Sequence, residues 1–561
     1  MKTIFLRTRP RQQLRHGARL LDSRLQFNHD FVKHTKTTTA TSNSHIPVLK
    51  EVAMLPYIGS MIPFYSKTPP LNTSKWFEYH PEMRRRFGDF YLMGLPGIGN
   101  GIYGEIYTIT DPNEMMKVIR QEKGSQVPYP RGALATIWPL TKYFEEVKSP
   151  LGTPTSDDPF DADGFMGRGE TWKRQRTFMQ TDLLSPQAAI GYIPGIVKAA
   201  EIASRVASES SKDMDRFLIR SAFDMFCSVM FGELTKTADP ANATQENIIF
   251  CDNAKGALAS MSKQSLAETE LILHRGLGIK TTEYRKFKNM FDSASAIADE
   301  KYKRFRSKYE LTPEQLTDME RNSYLARAIE RQRMEGSNIS EAELASIIHT
   351  MLMAGVDTTS SAVAWVILHL SLNPHVQDKL YEEMSATVAS EGCINENVLK
   401  RSTSPYLHAV FREAHRISPV MTTGVPKDNP FEDVEIHGVV IPKGSCFQLD
   451  IYSVGIDPEF LEDPISFRPE RWLDFAVEAR KGTAAEILDH PLYRDPFSSG
   501  SRKCPGSRVA ANEMLVFVTQ LVLDWKLSFP RGIQKWDDVK YDLDIFVCPR
   551  LPEIEFSKRK V

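Results

Sequence analysis

The first side chain that could do chemistry is a cysteine in a turn-rich stretch near the C-terminus. Residues 495–508 read DPFSSGSRKCPGSR, and an apolar segment with the spacing of a buried helix follows over residues 509–525. Two cations and the N-terminus of that helix would favour the thiolate of Cys504 over its thiol, and glycines permit sharp turns. A thiolate on a rigid loop is a soft metal ligand, although a lone cysteine is more often a small buried hydrophobic residue. The supporting residues are Gly500, Arg502, Gly506 and Arg508.

A second group of reactive side chains lies inside a predicted long helix. Ser340 and Glu343 form a capping-box pattern, and an apolar run continues to Leu372 before Asn373-Pro374 ends it. Within the run, residues 354–359 read AGVDTT, whose glycine and threonines are poor helix formers. This sequence therefore indicates that residues 354–359 have a role other than packing.

The residue types in this stretch suit proton transfer beside a ligand. Gly355 would let a ligand approach the backbone, and the hydroxyl of Thr358 could interrupt the intrahelical hydrogen bonds. Asp357 could relay protons, and it would be costly in an apolar core without a partner. The alternative is a kinked core helix in which Asp357 is satisfied.

Two further charged patterns could position these groups. Trp172 and Arg176 share a helix face, so an indole N–H and a guanidinium could reach one anionic group, although an exposed basic helix turn fits the fragment equally well. Glu413 and Arg416 are three residues apart and can pair on a helix, a weak signal alone. Downstream, residues 467–472 read FRPERW and include Arg471.

Together these stretches resemble the sequence signatures of the cytochromes P450. WxxxR, AGxDTT, ExxR with FxPERW, and FxxGxRxCxG occur in that family's order, and the resemblance covers most of residues 46–561. It implies a mainly α-helical, single P450-type domain with small β-sheets, preceded by a separate segment over residues 1–45. The last motif is carried by Phe497, Gly500, Arg502, Cys504 and Gly506, continued by Ala510 and Glu513.

The resemblance also implies a cofactor and a role for each motif. Haem b would lie between the long central helix and the cysteine loop, with Cys504 as the axial iron ligand. Thr358 would hydrogen-bond dioxygen, and Asp357 would connect it to solvent protons. The remaining implied cofactor-binding residues are Trp172 and Arg176 at a propionate, Gly355, Phe497, Arg502 and Gly506.

Two other implied roles concern scaffolding and a further propionate contact. Glu413, Arg416 and Arg471 would form a buried network that holds the loop leading to Cys504. Many members carry an arginine after the stretch 420–423, near the substrate, as another propionate ligand. This chain has Lys427 near that place, which departs from the pattern.

The implied activity is monooxygenation of a hydrophobic substrate such as a sterol, a steroid or another lipid-like molecule. Two electrons would come from NADPH through an external partner, because the chain has no flavin or nicotinamide fingerprint. One alternative is a haem-thiolate isomerase or dehydratase that acts on a peroxide without a reductase. Another is a non-catalytic haem carrier or sensor, against which the intact pair Asp357 and Thr358 argues.

The N-terminal composition predicts an organellar transit peptide, and with the resemblance above it implies the mitochondrial branch of the family. Residues 1–21 hold six Lys or Arg and no acidic residue, and the next twenty are rich in Thr and Ser, which is typical of a transit peptide. A disordered basic tail is the alternative. Mitochondrial members of the family receive electrons from a ferredoxin and its reductase, and they carry two basic residues on the ExxR helix. The matching residues here are His408 and Arg412, and the histidine weakens the match.

The overall composition excludes several other classes. The chain of 561 residues has a formal net charge of −1, but residues beyond 44 hold 61 basic and 69 acidic side chains, so a basic nucleic-acid surface is not expected. Six scattered cysteines without CxxC spacing argue against a disulfide framework or a zinc site. No apolar run approaches the roughly 18 residues that span a bilayer.

A coarse pass along the chain predicts the supporting elements. Strands are expected over residues 90–93 and 104–109, a functional loop over 127–169, helices over most of 185–335, and short hairpin strands within 432–451. Residues 271–280 form an apolar patch with basic flanks. They indicate either a packed turn, which is the default, or a peripheral contact with a membrane surface.

Overall fold

The computed structural model describes most of the chain beyond residue 168 and several stretches before it. The described residues are 50–51, 76–96, 103–120, 138–147, 168–266, 270–334, 336–429, 432–443, 445–530, 532–543 and 546–559. The predicted transit segment and most of the predicted loop over 127–169 therefore lie outside the described part. Within that loop, a helix is present over Trp138–Val147.

The described chain is mainly helical, as predicted. Helices α1 to α5 span Trp76–Phe87, Pro112–Arg120, Trp138–Val147, Gly169–Leu184 and Pro186–Val206. Helices α6 to α10 span Met214–Met230, Gln245–Leu266, Thr282–Leu311, Asp318–Arg321 and Tyr324–Arg333. Helices α11 to α16 span Glu341–Leu372, Pro374–Glu391, Pro405–Ile417, Asp474–Ala479, Pro491–Arg494 and Ser507–Asp524.

Small sheets accompany the helices. The largest has the order β1-β2-β3-β7-β4, and three two-stranded sheets pair β5 with β6, β8 with β11, and β9 with β10. The strands predicted near residues 90, 104 and 432–451 are all present. Strands β1 to β6 span Lys50–Glu51, Phe90–Pro96, Tyr103–Ile109, Lys427–Asn429, Val434–Ile436 and Val439–Ile441. Strands β7 to β11 span Ser445–Leu449, Trp525–Ser528, Tyr541–Leu543, Val547–Pro549 and Glu555–Lys558.

Helix α11 runs through the core and begins at the predicted cap. The Ser340 hydroxyl accepts from the Glu343 amide at 3.2 Å, and the Glu343 carboxylate accepts from the Ser340 amide at 2.9 Å. The same carboxylate accepts from Arg174 at 2.6 Å and from Gln175 at 2.9 Å. Burial alone would raise the pKa of the Glu343 carboxyl group, but these hydrogen bonds outweigh burial and bring the pKa down to about 2. The cap therefore also attaches α4 to the start of α11.

By length and composition, α11 could cross a membrane, although the sequence analysis predicted no helix of this kind. Its most apolar window of 18 residues is 72% buried inside the protein, whereas a spanning helix would face lipid. The apolar residues of α11 therefore serve the core. Among the described residues, this is the single helix that meets those criteria.

Candidate active site

The loop before α16 holds Cys504 in a tight turn. The Cys504 amide donates to the carbonyl of Phe497 at 2.9 Å. Ser498 and Gly500 have φ values of 66° and 77°. A Cβ on Gly500 would lie 2.5 Å from Cγ2 of Ile119 in α2, so Gly500 is required both by its conformation and by this close approach.

The second glycine of the loop has a different role from the one its sequence suggests. Gly506 has a φ of −86°, which any residue can adopt. A Cβ built on it would meet no heavy atom within 4 Å, apart from its own chain neighbours. The turn therefore does not need a glycine at this position, and the space beside its backbone is open.

The electrostatics of Cys504 differ from the sequence prediction. Burial raises the pKa of the thiol, and the Gly506 amide, Arg176 and Lys503 oppose that shift without reversing it. The neighbouring cation is Arg176 of α4, while Arg502 stacks over the Trp172 ring at 4.0 Å. The isolated protein therefore favours the thiol, and a bound metal would be needed to produce the thiolate.

Trp172 and Arg176 are brought to the cysteine loop by α4. Trp172 is buried, and Arg176 donates from its guanidinium to the carbonyl of Lys503 and to Oε1 of Gln180 at 2.9 Å. Burial lowers the pKa of Arg176 to about 10. Both predicted anion-binding side chains thus lie at one end of the loop, together with Arg502.

Helix α11 has an open face at the AGVDTT stretch. Ala354 is exposed and Thr358 is half-buried, although most residues around them are buried. The Thr358 hydroxyl donates to the Ala354 carbonyl at 2.9 Å. Gly355 faces elsewhere, because a Cβ there would lie 2.5 Å from the ring of Phe226. The side of Gly355 where a Cβ would lie therefore accommodates Phe226 of α6, and the more accessible side chains of this stretch are those of Ala354 and Thr358.

Asp357 has a partner that the motif does not contain. Its Oδ1 accepts from Nζ of Lys255 in α7 at 2.6 Å. Lys255 lies 102 residues earlier, and nothing in its sequence surroundings marks it as a partner. The requirement for a partner was recognised from the sequence, but its identity was not.

A second buried acid joins α11 to the helix behind the cysteine. The Thr359 hydroxyl lies 3.4 Å from Oε2 of Glu513 in α16 and donates to it. The other oxygen of Glu513 has no hydrogen-bond partner among the described residues. Burial raises the pKa of this carboxyl group to about 8, so it is mainly protonated at neutral pH.

The predicted scaffold residues lie together around one fully buried carboxylate. Glu413 accepts from Arg416 at 2.7 and 2.9 Å, and Nε of Arg471 lies 3.3 Å away. The indole N–H of Trp472 donates to it at 2.7 Å and the Arg468 amide at 3.0 Å, two contacts that sequence reasoning missed. Lys427, at the place where many members carry an arginine, is buried on the edge strand β4.

The two residues expected to face a redox partner make internal contacts instead. The His408 ring lies 2.8 Å from the Leu399 carbonyl, and burial lowers its pKa. The guanidinium of Arg412 pairs with Asp489 at 2.8 Å and lies 3.8 Å over the ring of Trp472. Its side chain is only 13% exposed, so both matching residues are engaged inside the protein. An acidic substitution of Arg412 would disturb the scaffold as well as any docking.

Replacing Glu513 by Gln should change how stability depends on pH. Between about pH 4.5 and pH 8 the folded state keeps a proton that the unfolded state has released, so wild-type stability falls as pH rises through this window. Glu513→Gln removes this contribution. We expect the free energy of unfolding in urea of Glu513→Gln, relative to that of wild type, to rise by roughly 4 kcal/mol from pH 5 to pH 8.

The exposed Glu555→Gln variant, on β11, is the control and should follow wild type at both pH values. If the advantage of Glu513→Gln were the same at pH 5 and pH 8, Glu513 would not be a neutral acid in the fold.

Comparison with known proteins places this geometry in a family. The family described as Cytochrome P450 matches residues 140–554. Cytochrome P450 10 of Lymnaea stagnalis is 24% identical over 99% of this chain and 95% of its own length. Mitochondrial sterol 26-hydroxylase of Rattus norvegicus is 32% identical over 35% of each chain, and iridoid oxidase of Catharanthus roseus is 32% identical over 40% of this chain and 41% of its own. The family match covers well over half of the residues and includes the cysteine loop and the open face of α11, so this chain belongs to the cytochrome P450 family.

Proposed function

We propose that this cytochrome P450, a monooxygenase that uses haem b and electrons from NADPH, inserts one atom of O2 into a hydrophobic, lipid-like substrate. The observation that carries the proposal is the open face formed by Ala354 and Thr358 on a helix that is otherwise largely buried. That helix packs against α16, which begins directly after the Cys504 loop. The largely apolar sequence of this helix favours an apolar substrate, for which we propose the sterol or steroid class.

The residues present fit a haem group. Open space beside Gly506 leaves room for a flat ring at the loop, and the exposed Ala354 has only a small side chain. Cys504 would be the axial ligand, with Phe497 beside it in the same loop. Trp172 and Arg176 lie at one end of the loop and would hold a propionate, as Arg502 would beside them.

Each side chain then has a defined task. When bound, thiolate-ligated haem supplies oxygen activation, because the thiolate donates electron density that favours cleavage of the O–O bond. Thr358 presents its hydroxyl on the open face and can turn from the Ala354 carbonyl toward a bound ligand. Asp357, one residue before it, holds a carboxylate that can pass protons inward. The Glu413 network fixes the chain that leads to the cysteine.

Replacing Cys504 by Ala tests the haem ligand. We expect the reduced carbon monoxide difference spectrum of the full chain to lose its thiolate-type band, since alanine offers no ligand. Cys548→Ala, at a half-buried cysteine outside the loop, should keep that band. A thiolate-type spectrum in Cys504→Ala would refute the assignment. Product formation with lipid substrates should require both oxygen and a reductant, whereas turnover with peroxide alone would favour the isomerase or dehydratase alternative.

Electrons are proposed to come from a ferredoxin, with the chain on the matrix side of the mitochondrial inner membrane. This follows the transit-like N-terminus and the partial similarity to the mitochondrial sterol 26-hydroxylase of Rattus norvegicus. The cations suited to an acidic partner are those exposed around the cysteine loop. Arg508 lies in the first turn of α16, and Arg120 ends α2, whose Ile119 lies against Gly500. Lys173 is exposed on α4, beside Trp172.

Replacing Arg508 by Glu should slow reduction of the haem by an acidic ferredoxin about tenfold at low salt, with a smaller loss at high salt. Stopped-flow reduction under carbon monoxide measures this rate, and reduction by dithionite should be unchanged. Arg285→Glu makes the same charge change at an exposed position of α8 and should behave as wild type. Equal slowing by both variants would argue against docking at the loop.

A peripheral membrane contact is proposed for the segment between α7 and α8. The default expectation of a packed turn is corrected, because Ile272, Leu273, Leu277 and Ile279 are 40–62% exposed on and after a single π-helical turn. Val147 of α3, 40% exposed, belongs to the same surface, since Lys280 pairs with Glu146 at 2.9 Å. An apolar surface edged by lysine suits an anionic bilayer.

The double variant Leu277→Glu with Ile279→Glu should reduce co-sedimentation with phosphatidylglycerol-containing vesicles at least about tenfold, because two apolar side chains would no longer enter the interface. Leu311→Glu is a matched control at a side chain that is 77% exposed at the end of α8. Unchanged binding by the double variant would exclude this segment as the contact.

A further inference from the structure

We infer that a chain of oxidisable aromatic side chains carries electrons from the protein surface to the haem site, and that the enzyme uses it to discharge an oxidant that meets no substrate. The inference rests on the proposed function and extends it to a second, protective reaction. The chain consists of Trp365 on α11 and, nearer to the surface, Trp536 and Tyr541. All three lie outside the motifs of the sequence analysis.

Trp365 is the inner end of this aromatic chain. It follows Thr358 by seven residues on α11, which at 1.5 Å per residue places it about 10 Å along the helix axis from the open face. Its side chain is 1% exposed, and its indole N–H donates to the Val547 carbonyl at 2.9 Å. Indoles are among the most easily oxidised side chains, and this one is fixed on the helix that borders the proposed haem site.

Two aromatic side chains connect Trp365 to the surface. The centroid of the Trp365 ring lies 6.2 Å from that of Trp536 and 6.3 Å from that of Tyr541. Both partners are half-buried, whereas Trp365 itself is closed to a soluble reductant. Ring centroids within about 7 Å are in close aromatic contact. Single electrons can therefore pass from ring to ring without any movement of the backbone.

The surrounding contacts fix the orientation of these rings. Phe77 of α1 is 4% exposed and packs against all three of them, at centroid distances of 5.2–5.5 Å. Trp536 also lies 6.2 Å from the ring of His369, one turn further along α11. A tightly packed aromatic cluster reorganises little when one ring loses an electron, because its neighbours cannot shift.

The protective reaction balances with a thiol as the reductant. An activated oxygen atom that is not transferred to a substrate needs two electrons and two protons to leave the site as water. Trp365 supplies the electrons one at a time, and Trp536 or Tyr541 replaces each of them. Two molecules of a low-molecular-weight thiol at the surface then form one disulfide and release two electrons and two protons. No side chain is consumed, so the protein survives the futile cycle.

The first test records radicals in the haem-loaded full chain after a peracid is added without substrate. We expect freeze-quenched EPR spectra of wild type to contain a tryptophan-type signal, and Trp365→Phe to lose it, because a benzene ring is much harder to oxidise than an indole. Trp525→Phe is the matched control and should keep the signal. Trp525 also donates its indole N–H to a backbone carbonyl, that of Ser204 at 2.9 Å, but it packs on Phe556.

The second test uses reduced cytochrome c as the electron donor, because this protein is too large to enter the haem site. Each hydrogen peroxide should take up two electrons and two protons and yield two molecules of water. We expect this oxidation of cytochrome c to be slower in Trp365→Phe and in the double variant Trp536→Phe with Tyr541→Phe than in wild type. Without a donor, both variants should lose their haem absorbance to peroxide faster than wild type.

The outcomes separate the relay from a structural role. Equal radical signals and equal cytochrome c oxidation in wild type and Trp365→Phe would overturn the inference, as would an equal loss in Trp525→Phe. If Trp365→Phe does not fold, the double variant decides, and unchanged cytochrome c oxidation in it would overturn the inference. A wild-type chain without a thiolate-type band in its reduced carbon monoxide spectrum would instead refute the proposed function on which the inference rests.

Discussion

The position of the chain before the cysteine loop depends on the contacts of one fully buried carboxylate, that of Glu413. Burying an ionised carboxylate costs several kcal/mol unless its lone pairs are satisfied. Here two guanidinium groups, an indole N–H and a backbone amide meet the two oxygens, and all but Arg416 come from residues 468–472. The carboxylate therefore fixes the chain that precedes the cysteine loop to α13, a helix of the core.

This constraint determines which charges are available for other tasks. Trp472 lies under the guanidinium of Arg412 at 3.8 Å and that of Arg480 at 4.8 Å, and both cations pair with Asp489. A cation used in this way is desolvated and fixed, so it offers little to a soluble partner. Helix α13, which carries the ExxR pattern, therefore uses these charged side chains to stabilise the fold.

The sequence predicted the elements whose signals are local and missed the contacts that depend on the fold. The capping box of α11, the strands near residues 90 and 104, and the helix after Cys504 each follow from neighbouring residues. Lys255 could not be predicted, because the partner of Asp357 is 102 residues away on another helix. The neighbour of Gly355 could not be predicted either, because each helical residue turns by about 100° and only the packed structure shows that Phe226 faces it.

The state of Cys504 was misjudged for a related reason. Sequence proximity suggested that Arg502 and Arg508 would stabilise the thiolate, yet Arg502 stacks on Trp172 and Arg508 points to the exposed surface. Desolvation, which depends on how the loop packs, outweighs the cations that remain near the sulfur. The motif predicts Cys504 as the ligand, but the charge state of the thiol depends on packing that no motif encodes.

Helix α11 unites the two halves of the site because polar contacts fix it at three levels. Its first turn is tied through Glu343 to Arg174 and Gln175 on the helix that also carries Trp172 and Arg176. Its middle is tied through Asp357 to α7 and, two residues later, through Thr359 to Glu513 behind the cysteine loop. The open face at Ala354 and Thr358 lies between these attachments, where contacts with two neighbouring helices hold the backbone of α11.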